Sequence, residues 1–167
     1  MSKKINRNYL EMHSLNELIE TINPSNEYII ELIDPPNFQL NKFFYKNIGK
    51  NHRWVDRLVW NEKDWIKYTS NENVKTYILK KKGDLVGYFE LLYHVEKNET
   101  EIAYFGLLEE FQNKKLGSYL LSAAIKKSFL YKSKRVWVHT CSLDHKNALN
   151  NYLSRGMKIF KKETISI

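Results

Sequence analysis

Phe105-Gly106-Leu107-Leu108-Glu109-Glu110-Phe111-Gln112-Asn113-Lys114-Lys115-Leu116-Gly117-Ser118-Tyr119-Leu120-Leu121 reads as a strand that passes through a short polar loop and opens directly into a helix. Such a junction aims unpaired backbone N–H groups and the positive end of a helix dipole at one point, which suits a pyrophosphate. Lys114 and Lys115 add positive charge there, whereas Glu109 and Glu110 oppose it unless they turn away. Gly117 has no Cβ and lets a ligand approach the first helical turn closely. The helix itself is expected from Asn113 to about Lys132, with Leu116, Leu120, Ala123 and Ala124 on one face.

Downstream, Arg135–Cys141 (RVWVHTC) reads as a strand, His145–Arg155 as a short helix ending at Gly156, and Lys158–Ile167 as a last strand. Upstream, Val74–Lys80, Leu85–His94 and Glu101–Leu108 are β-rich runs joined by short turn-forming links, the pattern of an antiparallel meander. Glu27–Ile33 is a further strand. Asp34-Pro35 then opens a helix, with Leu40, Phe43, Phe44 and Ile48 as its apolar stripe and Gly49 at its end. A second short helix starts at the cap Asn61-Glu62-Lys63-Asp64, stapled by Trp60 and Trp65, and runs to about Ser70. Ser14-Leu15-Asn16-Glu17 is a capping-box pattern, so Leu15, Leu18, Ile19 and Ile22 predict an N-terminal helix that Asn23-Pro24 stops.

The chain is thus expected to be α/β (α+β), a central mixed but mostly antiparallel sheet flanked by helices. The element order is β-α-α-β-β-β-α-β-α-β, preceded by a helical extension over residues 1–26. The 167 residues contain no repeat, linker or change of composition, so residues 1–167 read as one domain. A composition of 43% hydrophobic and 28% charged residues is that of an ordinary globular chain.

Lys and Arg total 27 against 19 Asp and Glu, a formal charge of +8. That balance favours anionic partners such as nucleic acid, a membrane surface or a phosphate-bearing cofactor; scattered lysines are the plainer explanation. The one cysteine, Cys141, cannot form an internal disulfide, and no apolar run approaches the ~20 residues of a membrane span, which predicts a cytoplasmic protein with no membrane partner. The five histidines lack metal-ligand spacing, so no metal is expected. Cys141 near Asp144 and His145 reads as a small buried strand residue rather than a nucleophile.

Gln112 and Gly117 match the first and last positions of the acyl-coenzyme A loop of the GNAT superfamily, which the sequence resembles; Lys115 stands where that loop usually has its first Gly. The stretch His145–Met157 is similar to the family's second motif, with Ala148, Tyr152 and Gly156 in register, His145 in place of Asn and Met157 in place of Phe. The segment Val138–His145 (VHTCSLDH) resembles one bacterial branch of the superfamily.

The resemblance implies an N-acetyltransferase that uses acetyl-CoA as cosubstrate, with residues 101–157 as the acyl-CoA-binding half. It places Gln112, Asn113, Lys114, Lys115, Leu116, Gly117 and Ser118 against the cofactor, with Asn147 on the far side. A backbone N–H of Leu107 or Leu108 would meet the thioester carbonyl where the strand bulges. Acyl transfer to an amine needs a base, an oxyanion donor and an acid for the departing thiolate. Glu101, eleven residues before Gln112, stands where the histone-modifying branch has its base, and Tyr152 matches the tyrosine that many members use as acid.

His52–Trp60 lies where the family builds part of its acceptor pocket, which points to Arg53, Trp54 and Arg57 as substrate contacts; pairing of Arg57 with Asp56 or a nearby Glu is the competing reading. The acceptor amine is not identified, and the chain is expected to be a monomer or homodimer. Two other readings compete: a non-catalytic acyl-CoA-binding module, suggested by Lys115, and a basic nucleic-acid binder, suggested by the +8 charge and eleven tyrosines.

Overall fold

Lys82 and Gly83, both with positive φ (49° and 89°), close a two-residue turn between the paired residues Lys81 and Asp84. Positive φ at both central positions gives the turn the twist that antiparallel strands need. It joins β3 (Val74–Lys81) to β4 (Asp84–His94). A 3₁₀ turn ending at Asn98 then leads into β5 (Glu99–Leu107), which completes the expected meander. The computed structural model describes residues 2–112 and 115–166.

The sheet has seven strands in the order β2-β3-β4-β5-β6-β1-β7, where β1 is Lys4–Met12, β2 Tyr28–Leu32, β6 Arg135–Cys141 and β7 Lys158–Ser166. Every neighbouring pair is antiparallel except β5 and β6. Helices cover both faces. On one lie α3 (Leu116–Leu130) and α4 (Ala148–Ser154), where Leu116, Leu120, Leu121, Ala124 and Ile125 pack over Val86, Phe89, Leu91, Ile102, Val136 and Val138. On the other lies α1 (Phe38–Gly49), which sets Phe44 and Ile48 against Ile78, Tyr88 and Leu108; α2 (Glu62–Thr69) packs beside it. Each large apolar side chain buried this way contributes roughly 1.5–3 kcal/mol.

The expected N-terminal helix is not formed. Ser14 Oγ does accept from the Asn16 N–H, but it caps a single 3₁₀ turn, Leu15–Glu17. The chain beyond is held extended, the Ile19 N–H donating to Arg155 O and the Thr21 N–H to Ser122 Oγ. Of the apolar residues that suggested a helix only Leu18 packs against the core, while Leu15, Ile19 and Ile22 are exposed. The residues before Ser14 form β1, which fills the gap between β6 and β7. The first helix also starts later than expected, at Phe38. Asn37 Oδ1 caps it from the Gln39 N–H, because the tandem prolines 35 and 36 disfavour helical backbone before that point.

Two irregularities shape the site. The β4–β5 register slips between Glu90 and Leu91, which leaves Ala103 as an extra, bulged residue on β5. The parallel pairing of β5 with β6 lasts only from Glu99–Glu101 to Arg135–Trp137, after which the strands part. Arg135 clamps the closed end, donating to Glu99 Oε2 at 2.9 Å and Glu11 Oε1 at 2.8 Å.

Candidate active site

Where β5 and β6 part, the sheet opens into a cavity of about 780 Å3. Its walls come from β5, the start of α3, the end of β6 with the loop to α4, one face of α4, and residues 52–57 between α1 and α2. Elements distant in sequence thus meet at the one place where the sheet lacks a strand-to-strand seam.

The loop from β5 into α3 forms the first wall. The Leu108 N–H donates to Val86 O at 2.9 Å, which makes Leu107 and Gly87 a non-hydrogen-bonded pair and turns the Leu107 N–H away from β4, toward the gap. Leu107 lines the cavity. Leu108 does not: its N–H is spent on Val86, and its side chain is buried with Phe44 and Tyr88, which removes it as a cofactor contact. Gln112 lines the cavity and reaches back from Nε2 to Leu107 O at 3.4 Å. Lys115 caps α3 with φ 61°, the left-handed region that favours glycine, which gives a physical sense to the Gly usual there. Gly117 and Ser118 line the cavity as well. A Cβ on Gly117 would meet nothing nearer than 3.6 Å, so the protein alone does not require glycine there. Leu116 belongs to the core, and its side chain is absent from the cavity wall. Asn113 and Lys114, also expected at the cofactor, lie outside the described residues.

Glu101 and Tyr152 border this same cavity. Glu101, with 16% of its side chain exposed, is held by His94 Nε2 at 3.0 Å, and the His94 ring stacks on Trp137, with centroids 5.8 Å apart. Tyr152 is buried against Phe105, and its hydroxyl makes no hydrogen bond among the described residues. Burial pushes the Tyr152 phenol well above its ordinary pKa, so it keeps its proton across the physiological range. Asn147, at the start of α4, lines the cavity and donates its N–H to His145 Nδ1.

Of the expected acceptor contacts, Arg53 lines the cavity as an exposed side chain and Trp54 as a half-buried one packed edge-on against Tyr104. Arg57 lines it too, but its charge is already matched. Nη1 sits 3.0 and 3.2 Å from the two carboxylate oxygens of the fully buried Glu90, and its guanidinium packs over the rings of Tyr68, Tyr104, Trp60, Tyr45 and Trp65. Asn41 Nδ2 donates to Glu90 as well, at 2.9 Å. Arg57 is therefore the neutralised floor of the cavity rather than a free anion-binding group, and its partner is neither Asp56 nor a sequence neighbour.

His139 was not singled out from sequence, yet it lines the cavity. Its ring is exposed to the cavity, yet the protein walls around it withhold bulk water, and this desolvation, followed by the charge of Arg7, lowers its pKa, so the ring is neutral at pH 7. Once Arg135–Cys141 is read as a strand, alternation alone sets Trp137, His139 and Cys141 on one face. Glu90 carried a signal too, being a lone acid inside the apolar run VGYFELLYH. Cys141 borders the cavity, half-buried, with its thiol pKa raised by burial. Asp144 is occupied as a turn cap, accepting from Thr140 Oγ1 and the Cys141 N–H, so these residues form no nucleophilic triad.

Among the described residues no three His, Cys, Asp or Glu side chains are grouped to hold a metal ion, and no helix is long and apolar enough to cross a membrane.

Residues 26–157 match the sequence profile described as the acetyltransferase (GNAT) family. No curated protein matches the sequence significantly. Among solved structures, the fold is similar to a GCN5-related N-acetyltransferase from Kribbella flavida, with TM-score 0.70 and 12% identity over 96% of this chain. The match spans 57% of that longer chain. An aminoglycoside acetyltransferase from an uncultured soil metagenomic sample superposes with TM-score 0.65 and 14% identity, covering 80% of this chain and 90% of its own. An IAA acetyltransferase from Bacillus cereus gives TM-score 0.60 and 23% identity, covering 80% and 79%. At these identities the structural likenesses concern the fold alone.

Proposed function

We propose, since the chain belongs to the GNAT acetyltransferase family, that it moves an acetyl group from acetyl-CoA to an amine by direct attack within a ternary complex. When bound, acetyl-CoA would supply a thioester carbonyl for attack and a thiolate as leaving group. The cavity's own groups suit such a ligand: an N–H at Leu107 turned into the gap, the start of α3 with Lys115 and Ser118 beside it, and at Gly117 a surface with no side chain in the way.

Glu101 accepts the proton that the amine must lose, directly or through water, and His94 fixes the carboxylate's orientation for that task. The Leu107 N–H donates to the carbonyl oxygen as it gains charge. Tyr152 donates to the departing sulfur. Its raised pKa makes complete proton transfer uphill, so its main contribution is a hydrogen bond that strengthens as charge develops on sulfur. The acceptor enters between β5 and residues 52–57, beside Trp54 and Arg53. The observation that carries this reading is that Glu101 and Tyr152 border the same cavity as Gln112, Lys115 and Gly117.

Thiol release from acetyl-CoA, measured across a panel of amines, is the test. Glu101→Gln should lower kcat by roughly 10²- to 10⁴-fold with unchanged acetyl-CoA affinity by calorimetry. Tyr152→Phe should cost roughly tenfold or more. Calorimetry that detects no acetyl-CoA binding, or a Glu101→Gln protein as active as the parent, refutes the assignment.

A further inference from the structure

A second cleft, of about 450 Å3, lies on the surface beside the acceptor end of the main cavity. It lies between the end of α1, residues 51–58, and Leu143 of the loop after β6. His52, Arg53, Trp54, Val55 and Leu143 line both spaces, so the cleft adjoins the acceptor end of the cavity along these residues. His52 ties the two sides together, with its Nδ1 3.3 Å from Leu143 O.

The charges of this cleft have one sign. Lys46, Lys50 and Arg53 line it, no carboxylate does, and none of the three makes an ion pair among the described residues. Asp56 faces the main cavity instead. Lys46 and Lys50 sit at the C-terminal end of α1, where they offset the helix dipole, which accounts for part of their placement. Arg53 is not explained in that way. It holds φ 58°, in the left-handed region that non-glycine residues rarely adopt, and lines both spaces. Between the cations, Val55 and Leu58 are half exposed and Trp54 forms an apolar wall. Three unpaired cations interleaved with apolar groups complement a chain that alternates acidic and apolar side chains, and a small amine confined to the main cavity would leave all of the cleft empty.

We infer that the acceptor is an acidic peptide segment, whose amine enters the main cavity while the residues beyond it lie in the cleft between Arg53, Lys50 and Lys46. This rests on the acetyl-transfer reading above.

The test uses short peptides with a free N-terminus and a C-terminal fluorophore, identical except that the residues after the first two are Glu, Gln or Lys. Anisotropy reads binding to the full chain with and without acetyl-CoA, and thiol release reads kcat/KM. The acidic peptide should bind and react roughly tenfold better than the neutral one, the basic one should be worst, and salt should narrow the spread. Arg53→Gln and Lys50→Gln should each compress the acidic-to-neutral ratio several-fold. Equal use of the three peptides, preference for the basic one, or no peptide binding at all overturns the proposal. If no peptide binds while small amines still release thiol, the acidic-peptide assignment falls and acetyl transfer stands. If the acidic peptide binds with the predicted dependence on Arg53 but no thiol is released with any amine, the cleft stands and the transfer reading falls.

Discussion

Replacing Glu90 by alanine strands the Arg57 guanidinium inside the protein. The pair is almost fully enclosed, at 6% and 0% side-chain exposure, and Glu90 is the carboxylate that Arg57 touches, through two contacts of 3.0 and 3.2 Å. Removing one partner of such a pair typically costs ~3–5 kcal/mol, because the remaining charge loses its compensation without regaining water. Asn41 loses an acceptor at the same time, although Thr76 Oγ1, 2.8 Å away, remains to it. For a chain of this length ~1 kcal/mol corresponds to ~2–4 °C, so Glu90→Ala should lower Tm by about 6–20 °C. Arg57→Met should cost about 3 kcal/mol, slightly less, since the Asn41 amide still solvates the Glu90 carboxylate. The double variant Arg57→Met/Glu90→Leu places two apolar side chains among Tyr45, Trp60, Trp65, Tyr68 and Tyr104, and should be more stable than either single variant. Urea unfolding of the parent, Glu90→Leu, Arg57→Met and the double variant closes the cycle, with an expected coupling of more than about 3 kcal/mol. If the double variant loses the sum of the two single losses, the pair does not act as a unit and the neutralised-floor description of Arg57 is wrong.

Gly156 has φ 102°, and a Cβ there would lie 2.2 Å from the Glu17 carbonyl oxygen; Gly156→Ala should therefore cost about 2–4 kcal/mol by urea titration, and a loss below about 1 kcal/mol would contradict the packing of residues 15–17 against α4's end. Lys115→Gly should relieve the left-handed strain and stabilise the chain by roughly 1 kcal/mol, and any destabilisation would show that the Lys115 side chain holds the α3 start. His139 has its pKa lowered in the folded state, so between that value and the unfolded value of about 6.5 the unfolded chain binds more protons. Its contribution to stability is fully present above about pH 6.5 and is lost as pH falls through the folded pKa. His139→Asn should flatten the fall in urea midpoint over that window, and equal slopes for the two proteins would place His139 in a more open setting.

The same capping motif starts a full helix at Asn61 but only a single turn at Ser14, and the difference is physical. Asn61 and Asp64 form a reciprocal capping box, and the helix they start survives because Trp65 is buried, with its ring against Tyr45 and Trp60. Ser14 caps its turn just as well, but of the apolar residues that follow only Leu18 reaches the core, and the Glu17 carbonyl is pressed against Gly156. A cap states where a helix can begin; whether it continues depends on a tertiary neighbour. Strand β1 was hidden for a related reason. Only Ile5, Leu10 and Met12 of its nine residues are buried, so no clean alternation marks it, and it is a strand because β6 and β7 leave a gap of its width. The turn from β5 into α3 was legible because its signals, an apolar strand, a polar link and a helical stripe, are all local. The position of Glu101 could be counted from Gln112, but His94 could not be assigned to it from sequence. That contact depends on β4 and β5 lying in one register, His94 opposite Glu99, so that a side chain seven residues away in sequence reaches across the strand pair. Arg57 shows the limit most clearly. The residue was singled out for its charge, and its role was decided by Glu90, 33 residues away, on a strand whose only sequence hint was an acid among aromatic and aliphatic neighbours.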